Sequence, residues 1–525
     1  MVKINRQDSV LKKEFACRII LSLAVLLLSY NNFSQQGNAP QKTGKKKIEV
    51  IHSDEVIDET ETGTSRKLTR LLGSVQLKHN EIFMNCDSAH FFPGVNQIEA
   101  YNRIHIYQGD TLSLHGNYLF YDGLTETAFV TGNVELIDKE THLYTNSVNY
   151  DVKNEIANYT ERGRIINGDN TLTSIRGIYY VSSNLFHFKD SVKIVNPDYI
   201  MSADTMDYNT KTETAFFTGP SELKGDSLYL YCEKGWYDTK NDISRIWKNA
   251  FIDNRQQLIR GDSLYYEGQT GHGKAYRNIS ITDTTDNIVV TGNYAWYYKT
   301  PERFMVTEKA VFIQVSEKDS LFLHADTISA VTESDVAEKN YRLLRAYYGC
   351  RMFSKDLQAK CDSLAYSFQD SVIRMYYSPV LWSEENQLTA EKMSVFTKNR
   401  QTDRLELYNS AFVISQVDPD KFNQIKGRNL TGYFRDNELY RINIDGNGET
   451  IYYLVEDDKL VGINKARCSK IEIFVEDGKI IEIYEYDNPE GTIDPPLSPG
   501  NDTLKLEGFQ WFDNLRPRNK YDIFN

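Results

Sequence analysis

Thr125 to Leu136 reads T-E-T-A-F-V-T-G-N-V-E-L, and Thr212 to Leu223 reads T-E-T-A-F-F-T-G-P-S-E-L. Nine of the twelve letters agree, and the offset of 87 residues is three steps of 29. Self-similarity at such a period marks a repeat architecture, in which one supersecondary unit is stacked many times. The rest of the chain is read against that step.

A second motif sits between the copies of the first. An apolar residue is followed two positions later by a small one, then usually by Asp, Asn or Glu. An apolar residue stands three positions after the small one, and usually an aromatic five after. The small position is Ser53, Cys86, Gly116, Thr145, Ser174, Ala203, Cys232, Gly261, Gly292, Ala325, Cys361, Ala390, Gly427 and Cys468. From Gly116 to Gly261 every step is 29; later steps reach 31, 33, 36, 37 and 41. Insertions in repeat arrays fall in loops, so the lengthening is expected there. The small position is sterically tight, where backbone packs on backbone.

Apolar residues alternate within each unit, which predicts strands. The phase slips just after the small residue, which predicts a bulge or bend. The other element of the unit is a strand centred on Gly, as in Gly73-Ser74-Val75-Gln76-Leu77 and Gly132-Asn133-Val134-Glu135-Leu136. Gly in such a place favours a bend or a close backbone approach. Turn residues such as Tyr121-Asp122-Gly123 join the two strands. The expected fold is therefore all-β, an elongated stack of two-strand repeats of about 29 residues, a β-solenoid or folded jellyroll.

The chain has 525 residues, a length that alone suggests several domains; the repeat replaces that with one continuous core. Lys12, Lys13 and Arg18 precede an apolar run of ten residues from Ile19 to Leu28. That is short of the roughly 20 needed to span a bilayer and fits a cleaved secretory signal ending at Ser34, the alternative being an uncleaved anchor. The expected organisation is a signal peptide over 1–34, a polar leader over 35–47 with the Lys45-Lys46-Lys47 cluster, repeats over 48–486, and a Pro-rich linker with an aromatic segment over 487–525. The last segment, with Phe509, Trp511, Phe512, Tyr521 and Phe524, reads either as a cap on the final rung or as a docking peptide. No second apolar stretch follows the signal, so after cleavage nothing is expected to hold the protein in a membrane.

Chemistry-bearing constellations are sparse. Of the cysteines after the signal, Cys86, Cys232, Cys361 and Cys468 all occupy the small position. Cys86 and Cys232 are five repeats apart, at least roughly 24 Å at about 4.8 Å per strand spacing, beyond the reach of a disulfide. Cys350 with Cys361 is the one plausible pair. No C-x-x-C or close histidine pair occurs, and Gly271-His272-Gly273-Lys274 lacks the Ser or Thr of a phosphate loop. The recurrent Asp87, Asp204, Asp262, Asp326 and Asp362 suggest either a Ca²⁺ ladder or carboxylates that satisfy backbone donors at a bend. The second reading is preferred, since Ile175 and Arg428 fill the same slot. A net charge of −13 argues against nucleic acid. Neither a catalytic residue, a cofactor nor a metal is expected.

With its tandem strand pairs, the G-x-V-x-L elements at Gly73 and Gly132, and the small-Asp-x-apolar-x-Tyr strands at Ala203 to Tyr208 and Gly261 to Tyr266, the chain resembles the OstA-like (organic solvent tolerance) family over about Ile48 to Tyr486. The family includes the periplasmic lipopolysaccharide-transport bridge and the periplasmic part of the outer-membrane translocon. The resemblance implies a β-jellyroll shaped like a folded taco with an apolar interior for acyl chains. It also implies a non-enzymatic carrier for lipopolysaccharide or another acylated glycolipid, exported to the periplasm or to the periphery of the outer membrane, with partner transport proteins joined by edge-to-edge strand addition. Two departures are evident: this chain is longer than the family's bridge protein, and it lacks the translocon's membrane barrel. The expected groove residues are Leu119, Tyr121, Val148, Tyr150, Met206, Tyr208, Leu264 and Tyr266, with Asn149 and Asp207 on the opposite face. The competing readings are a structural or adhesive solenoid with a filled core, and a polysaccharide-active β-helix enzyme.

Overall fold

Antiparallel strands pair throughout the described residues; the long ones turn a corner at their middle, and elsewhere the corner divides one rung into two short strands, as between Ile156–Tyr159 and Gly163–Asn167. The computed structural model describes residues 47–60, 67–109, 112–226, 228–285, 287–316, 320–334, 340–398, 401–435, 438–456, 459–476, 479–495 and 504–525. The signal peptide and nearly all of the leader expected from the sequence lie outside these residues. Forty strands form one sheet, and the helical segments among the described residues are three single 3-10 turns, at Val181–Ser183, Asp513–Leu515 and Asp522–Phe524.

The corner follows from the phase slip. Lys67–His79 pairs with Ile82–Phe92 from Thr69↔Phe91 to Leu72↔Ser88, and again from Val75↔Cys86 to His79↔Ile82. Between the two ladders, Gly73 and Ser74 stand against the single residue Asp87, and both have left-handed φ, +76° and +45°. Two consecutive left-handed residues facing one extended residue bend the strand sharply and re-aim the side chains beyond it. The device recurs at Asn102 and Arg103, Gly132 and Asn133, Asp190 and Ser191, Arg277 and Asn278, and on to Asp487 and Asn488. Stacked corners form a crease that folds the sheet into two leaves. Leaf A holds residues 75–79, 82–86, 104–108 and their equivalents; leaf B holds 69–72, 88–92, 97–101 and theirs.

Burial follows the crease. In Thr141–Asp151, Thr141 and Leu143 are buried before the corner, and Val148 and Tyr150 after it, so the buried set changes parity where the chain bends. Both inner faces feed one continuous apolar cluster that runs from Ile48 to Ile473. The expected small position lies on the crease and is tight, as read: a Cβ on Gly116 would stand 2.3 Å from Cγ1 of Val130, and one on Gly427 would stand 2.2 Å from Cγ2 of Ile444.

Three features depart from the sequence reading. Where the repeat step grows to 37 and 41, the extra residues lengthen strands: Gln401–Asp418, Lys421–Arg435, Glu438–Glu456 and Lys459–Glu476 run to 18, 15, 19 and 18 residues, against 11 for Leu112–Asp122. An antiparallel hairpin absorbs added residues as extra paired rungs on both arms, so a loop is not needed. The sheet also continues past Tyr486, because Glu490–Asp494 pairs with the strand Lys459–Glu476 and completes a final bent rung with Lys479–Tyr486. Finally, 504–525 lies lengthwise on the outer face of leaf A, where Leu504 and Leu506 pack against Ile451, Tyr453 and Ile463, and Phe509 and Trp511 against Phe412, Ile414 and Phe422.

Candidate functional site

The interior between the leaves is where the sequence placed a function, and the structure assembles it from residue types repeated at one register. The residues two before the small position on leaf A point inward; Met84, Leu114, Leu143, Leu172 and Met201 are fully buried. Opposite them on leaf B stand Leu119, Val148 and Met206, with Tyr121, Tyr150, Tyr179 and Tyr208 beyond, all buried.

These tyrosines sit at the mouth, away from the crease, and their hydroxyls reach across to leaf A. Tyr121 meets Nδ1 of His79 at 2.7 Å. Tyr179 donates to the Asp138 carboxylate at 2.6 Å. Tyr208 donates to Oδ1 of Asn167 at 3.3 Å and accepts from Nδ2 of Asn170 at 3.2 Å. The mouth is thus laced at the rungs of Tyr121, Tyr179 and Tyr208. Burial pushes the phenol groups of Tyr121, Tyr150, Tyr179, Tyr208 and Tyr237 well above the usual tyrosine range, because the phenolate loses water between the leaves. Within this set the hydroxyl of Tyr150 is buried without a hydrogen-bond partner.

That contrast predicts unequal effects of one chemical change. Tyr179→Phe should cost about 1–3 kcal/mol, since it strips a donor from a buried carboxylate. Tyr150→Phe should be neutral or slightly stabilising, since its hydroxyl has nothing to lose. Urea unfolding of the two variants side by side checks this, and equal losses would contradict the lacing.

The lacing ends midway. Tyr237, Tyr266 and Tyr297, at the same register, are only partly buried, and Tyr237 turns its hydroxyl to Asp242 on its own leaf, 2.9 Å away. Several inward apolar residues of this stretch are only partly buried, Ile252, Ile259, Ile281, Ile288, Phe304, Phe312 and Leu321, beside buried Leu264, Ile279, Val290, Val306 and Ala310. A cleft of about 560 Å³ adjoins the start of the stretch at the hairpin ends of leaf A, lined among others by Lys224, Leu228, Tyr229, Arg255 and Leu258. From 322 onward, the segment 504–525 covers leaf A from outside. Among the described residues, neither Tyr266 nor Tyr297 makes a hydrogen bond across the mouth, and the segment reaches leaf A only from Phe322 onward.

All eight expected groove residues face the interior. Seven are buried, and Tyr266 alone is partly exposed. Asn149 and Asp207 face outward, as expected for the opposite face. The partners at the mouth, His79, Asp138, Asn167 and Asn170, were not singled out from sequence.

The recurrent acidic slot is explained by the crease. Asp87 accepts from Nε of Arg103 at 2.6 Å, Asp262 from Nδ2 of Asn278 at 3.1 Å, and Glu391 from Nδ2 of Asn409 at 3.1 Å. These three bind a side chain from the left-handed pair of the next corner, whereas Asp326 and Asp362 accept from the hydroxyls of Thr327 and Ser363, each at 2.8 Å; none of these donors is the backbone group expected from sequence. Among the described residues no group of three His, Cys, Asp or Glu side chains converges as a metal site. Cys350 and Cys361 stand directly opposite each other across a hairpin, as buried thiols.

No curated protein matches the chain. Residues 45–204 match the family model described as OstA-like protein.

Proposed function

We propose that this chain, OstA-like over residues 45–204 and built of the same folded meander onward to Asp494, is a non-enzymatic periplasmic carrier that shields the acyl chains of lipopolysaccharide or a similar glycolipid. The observation that carries the reading is the single apolar interior that runs through the described repeats from Ile48 to Ile473 and includes partly buried residues over 252–321. An acyl chain placed between the leaves buries apolar area at about 25 cal/mol per Å². It exchanges contacts among many similar positions, none of them a tight pocket. Leu119, Tyr121, Val148, Tyr150, Met206, Tyr208, Leu264 and Tyr266 line that path. Lipid enters or leaves around Tyr266 and Phe304, whose rings are only partly buried, and the adjoining cleft sets Lys224 and Arg255 beside Asp253 for a polar headgroup.

Both ends of the sheet support assembly with other transport proteins. The first rung exposes Val50, Ile51 and Val56, and the last exposes Ile481, Tyr484, Tyr486 and Ile493. Edge strands with unpaired backbone groups and apolar side chains add further strands readily.

A photo-reactive benzophenone side chain at Tyr266 or Phe304 should capture lipopolysaccharide in cells. Probes at Tyr150 or Tyr208 should capture less, because the leaves must part first, and probes at Asn149 or Asp207 should capture none. Capture of protein alone at all four inner positions would favour the filled structural core instead.

A further inference from the structure

The outer face of leaf A changes chemistry where the segment 504–525 crosses it. Three residues before the small position, the repeats carry Phe83, Ser113, His142, Thr171, Ile200 and Tyr229, with no common type. In three consecutive later repeats the same slot holds Gln358, Gln387 and Gln424, although it faces outward. All three are buried, with exposures of 3%, 0% and 0%. Between them in the cross-strand row stand Trp382 and Ile414, each directly opposite a glutamine on both sides.

The glutamines hold the main chain of the segment. Nε2 of Gln424 donates to the carbonyl of Leu504 at 2.8 Å, and its Oε1 accepts from the amide of Leu506 at 2.8 Å. Gln387 repeats the two-point contact with the carbonyl of Gln510 at 2.7 Å and the amide of Phe512 at 2.6 Å. Oε1 of Gln358 accepts from Nε of Arg516 at 2.8 Å. A primary amide has one donor arm and one acceptor arm, so it can pair with a peptide unit as a neighbouring strand would. Apolar anchors fill the spaces: Phe509 and Trp511 each lie 5.2 Å from the ring of Phe422, and Phe524 lies 4.7 Å from that of His324. These contacts form two small clusters separate from the continuous interior, so the segment can leave without opening it.

We propose that this face is a binding site for an extended peptide, with Leu504–Asn525 as its resident, exchangeable ligand. Main-chain pairing supplies affinity and the aromatic anchors supply selectivity, the division of labour seen when a peptide adds to a sheet. Glutamine appears in the slot only where the segment lies, so the receptor chemistry is built into these repeats and is not a general property of the surface.

The test uses the full chain with a specific protease recognition sequence inserted after Pro499. After cutting, the segment should co-elute with the body at micromolar concentration. It should then exchange with a fluorescent synthetic peptide of residues 503–525, while the strand circular dichroism is unchanged. The double variant Gln387→Leu/Gln424→Leu, cut in the same way, should retain the peptide at least tenfold less well. Loss of strand signal on cutting would show the segment to be an integral part of the fold and overturn the proposal. So would immediate release of the peptide from the wild-type body, or equal retention by the double variant.

Discussion

Above about pH 10 the protein should unfold in a cooperative transition driven by its tyrosines. An unfolded chain ionises tyrosine near about pH 10. Burial holds Tyr159 and Tyr199 up at about 12, and pushes Tyr121, Tyr150, Tyr179, Tyr208 and Tyr237 higher still. The folded state therefore favours the neutral phenol, and each group contributes stability that is whole below the unfolded value. That contribution is lost as the pH rises toward the folded one. Because the affected groups occupy consecutive rungs, their losses fall on one contiguous stretch. Phenolate absorbance and far-UV circular dichroism should change together over that range. Phenolate signal that rises fully while the strand spectrum persists would show that the mouth admits water freely.

The second large effect centres on Tyr159, whose ring lies over two glycines. A Cβ on Gly163 would stand 2.4 Å from Cζ of the ring, and one on Gly177 would stand 2.5 Å from the same atom. The hydroxyl meets Oγ of Ser174 at 2.7 Å. Gly177→Val should cost about 3 kcal/mol, the upper end of ordinary overpacking, because a ring closed in from two strands has nowhere to move. Tyr159→Ala should cost about 3–5 kcal/mol through the cavity it leaves. Together they should cost at least about 1 kcal/mol less than the sum, as the valine fills the space of the lost ring. Strict additivity in urea unfolding would contradict the packing described.

Much of this architecture was legible in the letters. The parity change after Cys86, Gly116 and Thr145 is the crease itself, since a side-chain period of two can break only where an unequal number of residues face one another. The size restriction at Gly116 and Gly427 likewise marks the inside of a sharp fold. The lacing was not legible, because Tyr121 and Tyr179 find their partners 42 and 41 residues back, at His79 and Asp138. His, Asp and Asn share no letter pattern there; what they share is a place opposite a tyrosine once the sheet has folded over. The glutamines of leaf A were hidden for a related reason. An outward slot with a polar residue reads as surface until a distant part of the chain covers it, and the segment that does so begins 80 residues beyond Gln424. The lengthened strands near the C-terminus were misjudged because a longer repeat step does not tell which arm of a hairpin has grown.

Because each bent rung contacts chiefly the rungs beside it, one more hairpin can be spliced in, or one removed, without redesigning any other. Every such change alters the distance between the two exposed edges by two strand spacings, about 9.6 Å. The reach of the body is therefore quantised, and duplication of a single 29-residue unit is enough to retune it. A longer or shorter stack needs no new fold, only a different number of pleats.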